Sequence, residues 1–271
     1  MKKSVNLVSG NIISTLIKLS LPILGTSFIQ MAYNMIDMIW VGRIGSNAVA
    51  AVGTAGFFTW FGSALVFISK IGAEIGVSQA IGKKDINEKN KFVYNSLVIN
   101  ITIALIYTLF LILFKNQLIG FFRLGDSEII KMAIGYLVVV SGGMIFSFLN
   151  PLFTGIFNAS GSSKIPFFIN TVGLITNIVF DPILIFGLFG FPALGVLGAA
   201  LATVGAQAIV TVIFIIAFIK NGYSLGMKNK KYIDKRIIMK ICKLGTPTAL
   251  QNCCFSFFAM IIGRVVASWG P

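Results

Sequence analysis

The chain has 271 residues, 56% of them hydrophobic and 11% charged, with a mean hydropathy of +0.92. These figures define an all-α polytopic membrane protein and exclude a soluble domain, so the formal net charge of +14 belongs to loops rather than to a nucleic-acid interface. Histidine is absent, which excludes imidazole metal sites and His-based relays, and Cys242, Cys253 and Cys254 offer neither a disulfide framework nor zinc spacing.

At the N-terminus, Met1-Lys2-Lys3 precedes a long apolar run with no small-residue cleavage site, which reads as a first span rather than a removed signal peptide. Asn6–Ser14 mixes polar and apolar residues and reads as a short interfacial helix ahead of it. Apolar segments near 16–41, 51–76, 92–114, 132–157, 166–188, 195–219 and 245–269 each reach the roughly 20 residues that a hydrocarbon core of about 30 Å requires. They predict seven spans.

Sixteen of the 22 Lys and Arg residues lie on the N-terminus and on the 2–3, 4–5 and 6–7 connections. They are Lys2, Lys3, Lys18, Lys83, Lys84, Lys89, Lys91 and Lys164, then Lys220, Lys228, Lys230, Lys231, Lys235, Arg236, Lys240 and Lys243. Only Arg43, Lys115, Arg123 and Lys131 lie on the opposite side, while Lys70 and Arg264 fall inside spans. The positive-inside rule therefore predicts a multi-pass plasma (inner) membrane protein with its N-terminus in the cytoplasm.

A short internal repeat supports a larger plan. Lys18-Leu19, Pro22 and Met35 of the first span recur as Lys243-Leu244, Pro247 and Met260 of the seventh, at an offset of 225 residues. Six intervening spans restore the same orientation, so the repeat is parallel and the repeating unit is six helices. The expected organisation is an N-lobe over 1–219, a basic cytoplasmic linker over 220–243, and the first helix of a truncated C-lobe over 244–271. A fragment lacking the remainder of its C-lobe is expected on this ground, with a true seven-span protein as the alternative.

The polar residues inside the spans carry the chemistry. In Asn170–Leu188 (NTVGLITNIVFDPILIFGL), Asn170, Asn177 and Asp181 fall within an arc of about 40° at 100° per residue. An intramembrane carboxylate costs roughly 2.5–3.5 kcal/mol on insertion scales, which points to a watery, cation-binding face. Gln30, Asn34 and Asp37 share one face of the first span, and Thr203, Gln207 and Thr211 one face of the sixth. Oxygen ligands without sulfur or imidazole suit a hard cation such as Na⁺, or a proton held between two carboxylates that do not both ionise easily. The structural readings are that Asp37 or Asp181 reaches the headgroup region, and that Gln30 and Asn34 only pack helices together.

Pro182 follows Asp181 directly and removes a backbone donor, so a kink and a hinge are expected around Asn177–Pro182. Lys70 and Glu74, four residues apart, are expected to pair along the second span. Asn100-Ile-Thr102 and Asn158-Ala-Ser160 match the glycosylation pattern by chance, since both lie in or beside spans. With no nucleophile–base pair, P-loop or dinucleotide fingerprint, the chain is not expected to be an enzyme or to hold a cofactor beyond a coupling ion.

Four spaced stretches carry a family resemblance: LPILGTSFIQMAYNMIDMIWVGRIGSNAVAAVG, VSQAIGKKD, NASGSSKIPF and NIVFDPILIFGLFGFPALGVLGAALATVGAQ. The chain resembles the MATE (multidrug and toxic compound extrusion) transporters. The resemblance implies twelve helices in two six-helix lobes about a pseudo-twofold axis along the membrane normal. It places the family's N-lobe cation site, which takes H⁺ or Na⁺, on Asp37, Asn177, Asp181 and Thr203. The helix-seven acidic residue of some members has no counterpart between Gly245 and Pro271, which favours coupling in the N-lobe. The implied function is a cation-coupled antiporter exporting organic cations or drugs by alternating access, with the bilayer, its substrates and the missing C-lobe as partners. Two alternatives remain: a superfamily-related flippase for lipid-linked precursors, which needs basic cavity residues, and a non-transporting truncated membrane protein.

Overall fold

The computed structural model describes residues 11–223 and 233–267, and these form eight α-helices. They are α1 (Ile12–Gly42), α2 (Ser46–Gly82), α3 (Ile86–Gly120), α4 (Ser127–Gly142), α5 (Met144–Ala159), α6 (Lys164–Phe186), α7 (Val196–Lys220) and α8 (Lys235–Ala267). Six are long and apolar enough to cross a membrane, and the pair α4–α5 makes up to a seventh. The seven predicted spans are thus all present, and most extend several residues past their apolar cores.

Three expectations change at the boundaries. Ile12–Ser14 are the first turn of α1, capped by Asn11, whose Oδ1 accepts from the Ile13 and Ser14 N–H groups at 3.0 and 3.2 Å. They are not a separate interfacial helix; Asn6–Gly10, with Lys2 and Lys3, lie outside the described residues. Lys235–Lys243, read as linker, are the opening turns of α8, while Lys228, Lys230 and Lys231 again lie outside the described residues. The fourth span is broken: α4 and α5 meet at 51° across Gly142–Gly143. A Cβ at Gly143 would sit 2.5 Å from Val204 Cγ2, so the α7 side chain packs directly against the break.

Close backbone approach holds the bundle. Gly187 ends α6 in the left-handed conformation (φ 74°), and the chain returns so that Leu194 and Gly195 N–H donate to the Leu184 and Ile185 carbonyls at 3.0 and 3.1 Å. Gly198 then lies against α6, where a Cβ would come 2.3 Å from the Leu184 carbonyl oxygen. Similarly, α8 crosses α2 through Gly72, which faces Ile241, and Gly245, which faces the Ile68 carbonyl. Small residues at such crossings let packing replace the hydrophobic effect that lipid cannot supply. α1 is held more loosely, with Gly25 under the Phe167 ring and Trp40 edge-on to Phe186 at 6.2 Å.

The apolar core is split into two clusters. One is built on Val66, Ala104, Phe148 and Ala200, the other on Ala73, Leu97, Leu152 and Val210. Between these levels runs a polar belt. Asn100 donates to Ser69 Oγ at 2.8 Å, Asn150 Nδ2 donates to Gln207 Oε1 at 2.6 Å, and Thr211 Oγ1 donates to Asn150 Oδ1 at 2.8 Å.

At one end of the bundle the starts of α3 and α8 meet the ends of α5 and α7. Lys91 pairs with Asp234 at 3.3 Å, Asp234 N–H donates to Asn95 Oδ1 at 3.2 Å, and Lys89 lies 4.7 Å from the Tyr223 ring centroid. The Tyr223 hydroxyl is hydrogen-bonded to Ser160. The described basic residues expected on the cytoplasmic side gather here in good number.

Two outcomes follow from this packing. Gly198→Ala should lower the stability of the detergent-solubilised protein by about 1–3 kcal/mol in thermal or denaturant unfolding, because the neighbouring atom is backbone and cannot rotate away. The Arg236 N–H, ahead of the Lys91 ammonium, holds the Asp234 carboxyl below the usual carboxylate range. A depressed folded-state value contributes stability above the unfolded value of about 3.9 and loses it as pH falls through the folded value. Asp234→Asn should therefore flatten the acid limb of an unfolding midpoint measured against pH.

Candidate functional site

The site lies where α1, α4, α6 and α7 converge. Asp37 is 9% exposed, and Asn177 and Asp181 are fully buried. Asn177 and Asp181 stand one helical turn apart, and Asn177 Nδ2 donates to Asp181 Oδ1 at 3.0 Å. This bond orients the amide so that its oxygen stays available. Across the gap, the Thr203 side chain faces the Asp37 carboxylate without closing a hydrogen bond to its inner oxygen, and Asp37 and Asp181 lie within electrostatic reach of each other. The α6–α7 hairpin fixes Thr203 relative to Asp181, and the Gly25–Phe167 and Trp40–Phe186 contacts set α1 against α6.

Four oxygens of this cluster, Asp37 Oδ1, Asn177 Oδ1, Asp181 Oδ2 and Thr203 Oγ1, are buried with no hydrogen-bond partner among the described residues. Most buried polar atoms in folded proteins are satisfied, and leaving one bare costs about 1–3 kcal/mol, more for a charged group. Acceptors concentrated in one place complement a hard cation or a proton. Histidine is absent and no cysteine is near, so the donor set is oxygen alone.

Asp37 also faces a cavity of about 360 Å³ lined by Asn34, Thr59, Trp60, Ser63 and Tyr136 among others. Asn34 therefore lines the cavity beside Asp37. Gln30 is exposed and joins neither the cavity lining nor the oxygen cluster. Asn170, on the same sequence arc as Asp181, instead donates to the Pro166 carbonyl at 2.7 Å. Gln207 and Thr211 are engaged by Asn150 in the polar belt, which leaves Thr203 as the α7 residue at the site. Pro182 lies inside α6, which runs unbroken from Lys164 to Phe186. The Lys70–Glu74 pair does not form: the ion pairs among the described residues are Lys83–Glu88 and Lys91–Asp234.

Sequence reasoning missed two tyrosines. The Tyr33 hydroxyl donates to the Thr203 carbonyl at 3.5 Å, and both Tyr33 and Tyr136 lie within electrostatic reach of Asp37 and Asp181. Tyr33 sits one turn before Asp37, a signal available in the sequence, whereas Tyr136 reaches the site from α4, about 100 residues away in the chain, which no local pattern contains.

A polytopic α-helical membrane bundle with buried carboxylates opening on a polar cavity is the class that these features define. The MatE family profile matches residues 22–183, and the chain belongs to this family. It is 29% identical over 255 residues to the probable multidrug resistance protein NorM of Thermotoga maritima, covering 93% of this chain and 54% of that protein. It is 28% identical to the multidrug export protein MepA of Staphylococcus aureus, covering 93% of this chain and 55% of that protein. Among solved structures, an outward-facing multidrug resistance MATE family transporter of the MOP superfamily superposes with a TM-score of 0.82 at 25% identity, covering 93% of this chain and 55% of that one. A MOP superfamily transporter from Pyrococcus furiosus, described by a binding pocket of reversed polarity that suggests a different function, gives 0.83 at 26% identity, covering 93% and 55%. The chain spans about half the length of the curated relatives it matches.

The belt and the exposed face of α1 should separate in mutagenesis. Asn150→Ala removes the partner of Gln207 and Thr211 and should cost about 1–3 kcal/mol of stability in detergent unfolding. Gln30→Ala should stay within about 0.5 kcal/mol of the parent in the same measurement.

Proposed function

We propose that the protein works as the N-lobe, with the first helix of a C-lobe, of a cation-coupled antiporter that exports organic cations by alternating access. The observation that carries this reading is the set of unpartnered oxygens on Asp37, Asn177, Asp181 and Thr203. H⁺ or Na⁺ would bind there, held by the two carboxylates with the amide and hydroxyl oxygens completing the shell.

Asp37 supplies the coupling logic, because it belongs both to the oxygen cluster and to the cavity. A carboxylate shared in this way is neutralised by the coupling ion or by a cationic substrate, and occupation by one weakens the hold on the other. The aromatic lining from Trp60 and Tyr136 adds faces that attract an organic cation. A ligand shifts the equilibrium between outward- and inward-open states only by its differential affinity for them. The mechanism therefore requires the Asp37–Asp181 separation to differ between states, with α1 as the element that moves and Pro182 in α6 as a hinge. The positive-inside rule supports a cytoplasmic basic end and an N-terminus inside the cell. A flippase for lipid-linked phosphates is disfavoured because no Lys or Arg among the described residues lines the cavity, and Arg264 instead lies 4.7 Å from the Phe121 ring centroid.

The test is reconstitution. In proteoliposomes holding the full-length transporter, an imposed Na⁺ or H⁺ gradient should drive ethidium efflux, and Asp37→Asn and Asp181→Asn should each slow it by about 10- to 100-fold. Independently of turnover, Na⁺ or acid titration should change tryptophan emission through Trp40, one turn from Asp37, and the change should vanish in Asp181→Asn. Undiminished efflux and an unchanged titration in both variants would overturn the reading.

A further inference from the structure

The α2 face that lines the Asp37 cavity continues beyond it. Thr59, Trp60 and Ser63 border the cavity, and residues seven apart on an α-helix return to within about 20° of the same direction. Trp60 is thus followed by Phe67 and Glu74, and Ser63 by Lys70, along one stripe running toward the end of the bundle where α3 and α8 begin. Phe67, Lys70 and Glu74 are each half-buried. Gly155 of α5 makes room for them: a Cβ there would stand 3.1 Å from Lys70 Cγ and 3.2 Å from Glu74 Cγ.

Lys70 and Glu74 do not satisfy one another. The Lys70 ammonium lies over the Phe67 ring, 5.4 Å from its centroid, and no hydrogen bond or ion pair within 4.0 Å reaches Glu74 among the described residues. The order contributes, since a lysine four residues before a glutamate is the weaker arrangement on a helix. What remains is a carboxylate inside a span that feels the Lys70 charge without closing an ion pair with it, next to an aromatic face that already holds that ammonium. A carboxylate paired with an aromatic face is the chemistry that recognises alkylammonium groups, and Lys70 shows that the ring accepts one.

We propose that Phe67, Lys70 and Glu74 form a second organic-cation site on the α2 face, distinct from the Asp37 cluster, in which the Lys70 ammonium is the resident cation. An incoming primary or quaternary ammonium with an apolar body takes its place over Phe67 and pairs with Glu74. This rests on the organic-cation reading above and adds where such a compound is held before it reaches Asp37. Lys70 sets the threshold, because a ligand must outcompete a tethered ammonium.

Ethidium binding to the whole chain in lipid nanodiscs, read by fluorescence anisotropy, tests it. Glu74→Gln should weaken binding about tenfold and Phe67→Leu about threefold, whereas Lys70→Met should tighten it several-fold. The Lys70→Met/Glu74→Gln double variant should be as weak as Glu74→Gln, and Glu74→Asp should retain most of the affinity. Photolabelling of the unmutated chain with ethidium azide gives a readout free of folding effects, with label expected on the peptide around residues 63–78. Unchanged affinity in Glu74→Gln and Lys70→Met, with label confined to α1 and α4, would overturn the second site while leaving the export reading intact. Absence of ethidium binding in both the parent and Lys70→Met would overturn both.

Discussion

A carboxylate in hydrocarbon is the constraint around which this bundle is arranged. Among the described residues Asp37 and Asp181 have no basic partner, and the fold surrounds them with dipoles instead: the Asn177 amide, the Thr203 hydroxyl and the two tyrosines. Each group comes from a different helix or turn, which obliges α1, α4, α6 and α7 to converge at one level. Below that level the Asn150–Gln207–Thr211 and Ser69–Asn100 contacts close the remaining polar requirements and separate the two apolar clusters. Polar residues in such a bundle are not interruptions of the core. They determine where its apolar parts begin and end.

The loosest element is tied to the most expensive group. Among its residues, α1 buries only Asp37 and Val41, and much of its remaining surface is exposed apolar side chain. Its packing is concentrated on α6, with the Gly25 and Trp40 contacts among it, and it touches the other helices little. Asp37 is thus carried by a helix that rests on one neighbour, α6, the same helix that carries Asn177 and Asp181.

The spans were legible because about 20 apolar residues in a row have few other uses, and the Asn177–Asp181 pair was legible because one helical turn separates the two residues. Other features were hidden for physical reasons. The Gly142–Gly143 break lies inside an uninterrupted apolar run, where glycines read equally well as close-packing residues, and only Val204 from a distant helix shows which role they have. Gln207 and Thr211 share the Thr203 face at ideal spacing, yet Asn150 claims them, a contact across 57 and 61 residues that no local pattern contains. The basic run Lys235–Lys243 read as linker because charge counting discards the helical order that Asp234 imposes as a cap. Spacing alone also favoured a Lys70–Glu74 pair, but a nearby aromatic ring gave the ammonium a different resting place.

Thr203 and Val204 are neighbours on α7, and they face two different tasks. Thr203 offers its hydroxyl to the oxygen cluster, while Val204 packs against the α4–α5 break. One peptide bond joins the residue beside Asp37 to the residue packed against the Gly142–Gly143 break. The break in the fourth span and the surroundings of Asp37 therefore share a single support, two consecutive residues of α7.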